Sequence, residues 1–135
     1  MRDDNCIFCK IANGDIPSAT LYEDDSLRVI LDLGPASKGH ALILPKDHYA
    51  NLFEMPEDLL SKVIGTAKMV GGKLYEGLHA DGFNVVQNNG EAAGQTVFHF
   101  HMHLIPRYEG DSVNVGWVPG ELTDADKKEI VDLFE

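Results

Sequence analysis

Residues 97–105 read VFHFHMHLI, with His99, His101 and His103 at every second position and Phe98, Phe100, Met102 and Leu104 filling the gaps. A period of two belongs to extended chain, where successive side chains point to opposite faces. The pattern predicts a strand over 97–105. Its three imidazoles lie on one face, and its apolar set on the other packs beneath a helix. An aliphatic or threonine strand would fold more readily, so the histidines mark a site rather than a structural choice.

Two chemistries suit such a row. Imidazole is a common metal ligand, and it is also a nucleophile that can attack phosphorus while a neighbouring histidine donates a proton. Successive side chains on one strand face stand about 6–7 Å apart. One ion bound by all three is therefore disfavoured, because Zn–N bonds span only about 2.0–2.1 Å. The preceding residues, NNGEAAGQT, supply Gly90 and Gly94, where backbone N–H groups can approach an anion, with Asn88 and Thr96 as side-chain donors. Anion donors, a nucleophile and an acid together equip a site for phosphoryl transfer.

The rest of the chain reads as one α+β domain over 1–135. Leu21–Glu23 and Leu27–Asp32 form a hairpin about Asp24–Ser26, and His40–Pro45 is a third strand. Pro56–Tyr75 carries the helical spacing of Leu59, Leu60, Val63, Ile64, Ala67, Val70 and Leu74, weakened near its end by Gly71 and Gly72. A strand over 82–89 follows, then the glycine loop. Thr123 caps a short C-terminal helix through Ile130, Val131 and Leu133, and 109–120 is irregular. Short turns between strands favour an antiparallel sheet.

With 22 acidic and 11 basic residues the net charge is -11, which argues against sequence-independent binding to nucleic acid or anionic membrane. The N-terminal residues lack the apolar run of a signal peptide, and no segment has the length of a membrane span. A cytoplasmic location is the expectation. There, Cys6 and Cys9, spaced CxxC, suggest a metal knuckle or a redox pair more than a structural disulfide. A knuckle needs two more ligands, and a site filled by four protein ligands would be structural, with no open position for catalysis.

HFHMHLIP, the upstream GQT, and the segments CIFCKI, LYEDD and LDLGPASKGHALILPKDH resemble the histidine triad (HIT) family, near its Hint branch. The resemblance implies an antiparallel sheet extended across a homodimer. It also implies cleavage at the α-phosphate of a nucleoside 5'-phosphoramidate or related dinucleotide, releasing the nucleoside monophosphate of a purine. By position, His101 would be the nucleophile, His99 would orient it and His103 would face the scissile phosphate. Asn88, Gly94 and Thr96 would hold phosphate oxygens, with Gln95 and Val97 among the substrate contacts. Asp32 would take the ribose hydroxyls, Leu33 would lie near the base, and His40 would support the triad from behind. Some relatives bind zinc through a CxxC pair and two such histidines, here Cys6, Cys9, His48 and His99.

Thr96 stands where Hint relatives often have Ser, and it keeps the hydroxyl. The third triad residue is His rather than the Gln of the nucleotidyltransferase branch, which favours water as acceptor. Residues 109–135 fall in a segment that varies across the family. Alternatives are a nucleotidyltransferase, a dinucleoside polyphosphate hydrolase, a non-catalytic nucleotide-binding scaffold, and a hydrolase with the triad on a catalytic zinc. Trp117 reads as a packing anchor, His79 as a solvated loop residue, and Lys38, Lys46 and Arg107 as surface cations.

Overall fold

Five antiparallel strands make one sheet in the order β1-β2-β3-β5-β4, in a computed structural model that describes residues 1–135. The strands are β1 (Thr20–Glu23), β2 (Leu27–Leu31), β3 (Ala41–Pro45), β4 (Gly82–Gln87) and β5 (Met102–Arg107). Three helices accompany them: α1 (Ile7–Ala12), α2 (Glu57–Gly77) and α3 (Asp124–Asp132). No helix is long and apolar enough to cross a membrane.

The β1–β2 turn is held by Asp24. Its carboxylate accepts the N–H groups of Ser26 and Leu27 at 2.8 and 2.9 Å and the Tyr22 hydroxyl at 2.8 Å. Burial works against the charge, but the donors win and hold this carboxyl down at about 2. The acidic run is thus a turn, as its composition implies.

Strand pairing puts alternate residues on opposite faces. Leu27, Val29, Ala41, Ile43, Phe100 and Leu104 pack against Val63, Ala67 and Val70 of α2. Ile30, Leu42 and Leu44 face the other way, onto Ala12, Phe8 and Ile11 of α1. Helix α1 has no counterpart in the sequence reading, because six residues are too few to show a helical period. Cys6 starts it, accepting the Cys9 N–H on its sulfur. Helix α2 continues past Gly71 and Gly72. A Cβ on Gly71 would crowd the Phe83 ring at 3.2 Å, so the glycine lets strand and helix approach.

The histidine segment departs from expectation. β5 begins only at Met102, so of the three histidines only His103 is in the ladder. The β3–β5 register pairs Ala41 with Leu104 and Ile43 with Met102, which would next oppose Pro45 to Phe100. Proline has no N–H to continue the ladder. Phe100 instead donates its N–H to the Tyr49 carbonyl at 2.6 Å. Phe98 leaves the apolar face and is 52% exposed. Trp117 is 85% exposed and does not anchor the chain's own core. Arg107 is no solvated cation. It donates to Asp111, Asn84 and the Val113 carbonyl, tying the start of the C-terminal segment to β4.

Gly39 sits at φ +93°, and a Cβ there would run into Leu78 and Pro106. Gly39→Ala is expected to cost about 1–3 kcal/mol through strain and overpacking. Urea unfolding measures it, and an unchanged midpoint would show that the loop before His40 yields freely.

Candidate functional site

His99 is fully buried, and its two ring nitrogens have different partners. Nε2 lies 2.9 Å from the Pro45 carbonyl. A carbonyl only accepts, so Nε2 carries the proton and Nδ1 presents its lone pair. That lone pair meets Cys6 Sγ and Cys9 Sγ, each at 3.4 Å, and His48 Nδ1 stands 3.5 Å from Cys9 Sγ. All four ligand atoms lie within 4.8 Å of one another. Bonds of about 2.3 Å to sulfur and 2.0–2.1 Å to nitrogen give a tetrahedron with edges of roughly 3.3–3.8 Å. The thiol and imidazole spacings fall on that scale, so the residues fit zinc. Three separate parts of the chain converge here: the start of α1, the loop after β3, and the segment before β5.

The same carbonyl logic orders the next imidazoles. His101 Nδ1 lies 2.8 Å from the His99 carbonyl, so it donates and leaves the Nε2 lone pair unclaimed. His40 Nδ1 accepts the Ala36 N–H at 2.9 Å, which places the His40 proton on Nε2. That Nε2 is 2.9 Å from His103 Nδ1 and 3.6 Å from Asp32 Oδ2. His103 Nδ1 therefore accepts, and its own proton sits on Nε2. Burial pushes His103 down to about 4, and the nearby His101 and His40 rings add to the effect. Burial lowers His40 as well, against the pull of Asp32. Both rings are neutral at neutral pH.

Asp32, Leu33, Thr96, His101 and His103 share a cavity of about 510 Å³. His40 meets His103 through its Nε2, while Cys6, Cys9, His48 and His99 form a separate cluster. Asn88 approaches Gly94, whose φ is +97°. Gln95 turns inward and is 3% exposed. Its side chain accepts the Gly90 N–H and donates to the Ala50 and Val97 carbonyls, so it locks the loop instead of facing the cavity. Ile7, Phe8, Ile11, Ile16 and Pro17 form an apolar wall of the cavity. Sequence reasoning missed this wall. The only signal was the apolar pair between the two cysteines. Phe8 stands edge-on to His101, ring centres 5.0 Å apart at 90°.

The HIT domain model matches residues 13–110. An uncharacterised HIT-like protein of Methanocaldococcus jannaschii is 47% identical, with 93% of this chain aligned to 95% of that protein. An adenosine 5'-monophosphoramidase of Candida albicans is 44% identical over 91% of this chain and 84% of its own length. The crystal structure of a zinc-bound histidine triad family protein from Mycobacterium smegmatis superposes with a TM-score of 0.76 at 35% identity, covering 96% of this chain and 97% of that one. The chain belongs to the HIT family.

Proposed function

We propose that this protein is a HIT-type hydrolase that cleaves the α-phosphate bond of a nucleoside 5'-phosphoramidate, through a nucleotide carried on His101. The observation that carries the reading is the His101 ring itself. A backbone carbonyl holds its Nδ1–H at 2.8 Å, and the ring borders a cavity of nucleotide size. Attack on phosphorus forms the Nε2–P bond and expels the amine. The positive charge that develops on the ring is stabilised by the His99 carbonyl. His103 Nε2–H, neutral and oriented through His40, donates a hydrogen bond to a phosphate oxygen, and the departing nitrogen takes its proton from solvent water. Water then breaks the Nε2–P bond and releases the monophosphate. Thr96 and the loop at Gly94 support the phosphate. Asp32 takes the ribose hydroxyls in this reading, and the wall of Ile7, Phe8 and Ile11 takes the base. The relative named an adenosine 5'-monophosphoramidase supports adenosine as the nucleoside. The test mixes protein and adenosine 5'-phosphoramidate briefly, then quenches. A gain of one AMP mapped to His101 is expected, and turnover without any adduct would sink the mechanism.

Zinc is proposed at Cys6, Cys9, His48 and His99, where it would crosslink α1 to the segment carrying the nucleophile and supply no catalytic step. The cytoplasmic reading is kept for the two unpaired thiols. Residues 1–135 are read as one domain with a variable tail over 109–135.

A homodimer is proposed through β4, an edge strand. Beside it Val85, Ile64 and Tyr75 are exposed on an apolar depression shared by β4 and α2. Pairing there would cover the edge and extend the sheet. Val85→Lys is expected to convert dimer to monomer in light scattering coupled to size exclusion. A wild-type monomer at micromolar concentration would contradict the arrangement.

His40→Ala tests the proton order. Without the Nε2–H donor His103 loses its fixed tautomer, and kcat is expected to fall about 10–100-fold, as when a supporting hydrogen-bond partner is lost. Removing the buried neighbour also lets the His103 pKa rise from about 4 toward its ordinary value. The acid limb of the pH–rate profile then moves to higher pH. A limb that stays or moves down would count against the relay.

A further inference from the structure

Cys6 and Cys9 stand apart in accessibility: Cys6 is partly exposed and Cys9 is fully buried. Their sulfurs lie within 4.8 Å of each other at the first turn of α1, and the Cys9 N–H points at Cys6 Sγ from 3.4 Å. Closing to a disulfide therefore needs a short sulfur movement within one helical turn. Both sulfurs touch His99, whose carbonyl orients His101. Phe8, between the two cysteines, meets His99 and His101 edge-on, at 6.0 and 5.0 Å between ring centres. A change at the dithiol thus reaches the nucleophile by two routes, one through the His99 backbone and one through the cavity wall.

We propose that Cys6 and Cys9 are an oxidation site for hydroperoxides, and that their disulfide releases the metal and weakens nucleotide binding. The chemistry balances with hydrogen peroxide as the oxidant. The accessible Cys6 sulfur attacks peroxide, an S–O bond forms, the O–O bond breaks, and water leaves with the thiol proton. Cys9 sulfur then attacks the sulfenic acid, the S–S bond forms, the S–O bond breaks, and a second water leaves. Two thiols lose two electrons and one peroxide is reduced to two waters. The disulfide offers no thiolate to an ion, so a metal held by the four residues is lost. His99 then keeps only the Pro45 carbonyl, and Phe8 moves with the turn. The consequence for nucleotide rests on the nucleotide-site reading above.

The test exposes reduced, zinc-loaded protein to hydrogen peroxide. Intact mass, peptide mapping, zinc release to a chromophoric chelator and AMP affinity by calorimetry are recorded before and after dithiothreitol. A Cys6–Cys9 disulfide, one zinc released per disulfide and AMP affinity lowered about tenfold are expected, all restored by reductant and zinc. Cys6→Ser, which lacks one of the four metal ligands, is expected to start from a lower AMP affinity, to form no disulfide and to show no further change on treatment. Sulfinic or sulfonic acid without the disulfide would overturn the proposal, as would a disulfide that leaves AMP affinity unchanged. Reduced protein that binds neither zinc nor AMP fails the reading under Proposed function instead. The switch is then decided by the disulfide and by the His101 ring signals in long-range ¹⁵N–¹H spectra. Signals that move on oxidation support it, and signals that stay overturn it.

Discussion

His101→Ala is expected to lower kcat/KM for adenosine 5'-phosphoramidate by about 10⁴-fold or more while leaving AMP binding within a few-fold of wild type. Losses of this size follow removal of a nucleophile, because the remaining groups stabilise the transition state but cannot form the covalent intermediate. The ring is 6% exposed, and its contacts are one hydrogen bond to the His99 carbonyl and edge-on approaches to Phe8 and His103. Truncation should therefore cost only about 1–2 kcal/mol of stability, so lost turnover would not be unfolding in disguise. His99→Ala is the informative partner. It keeps the backbone carbonyl but removes the ring that fixes where that carbonyl points. Its rate should fall by less than that of His101→Ala, with the adduct still forming on His101. Steady-state kinetics with a circular dichroism control decides the matter. A His101→Ala protein that keeps a tenth of its activity would end the covalent assignment.

Metal removal is expected to lower stability nearly as much as removing a ligand outright. Cys9 and His99 are completely buried, and their polar atoms face each other rather than water. With an ion present the four ligands tie α1 to the end of β3 and to the segment before β5. Structural zinc contributes about 10–16 kcal/mol of apparent binding energy in domains that have no fold without it. This chain has an independent apolar core beneath α2, so the loss should be a fraction of that, about 3–5 kcal/mol. For a domain of this size the midpoint of thermal unfolding would fall by roughly 10–20 °C. Calorimetry of native, chelator-treated and Cys9→Ala protein, with elemental analysis beside it, measures the effect. Native protein holding near one zinc per chain and melting well above both altered forms is the expected result. Equal melting of all three would reduce the cluster to two thiols and two imidazoles packed together.

The same geometry bears on acid stability. His103 titrates at about 4 in the folded chain, below its ordinary 6.5. The unfolded chain takes up that proton first as pH falls. The contribution is complete above about 6.5 and is lost progressively toward 4.

The amino-acid sequence by itself determined the hairpin at Asp24, the long helix, the Thr123 cap and the identity of nearly every polar group in the site. Each is written in local spacing: a turn carboxylate, a period of 3.6, a hydroxyl before an acidic first turn, imidazoles at alternate positions. It offered the CxxC pair as a metal knuckle, and only the resemblance to zinc-binding relatives joined His48 and His99 to it. Tertiary structure decided what those groups can do. Pro45 ends the β3–β5 pairing, and its carbonyl accepts the His99 Nε2–H across 54 positions of chain. That bond turns Nδ1 toward the thiols. The His99 carbonyl in turn fixes the protonated nitrogen of His101, and the Ala36 N–H that of His40. No spacing rule contains this information, because a tautomer is set by whichever carbonyl or N–H the fold brings to each nitrogen. The wall of Ile7, Phe8 and Ile11 was hidden for a related reason. A six-residue helix is too short to form without its cysteines and the sheet behind it, so only the assembled structure shows which face it turns to the cavity.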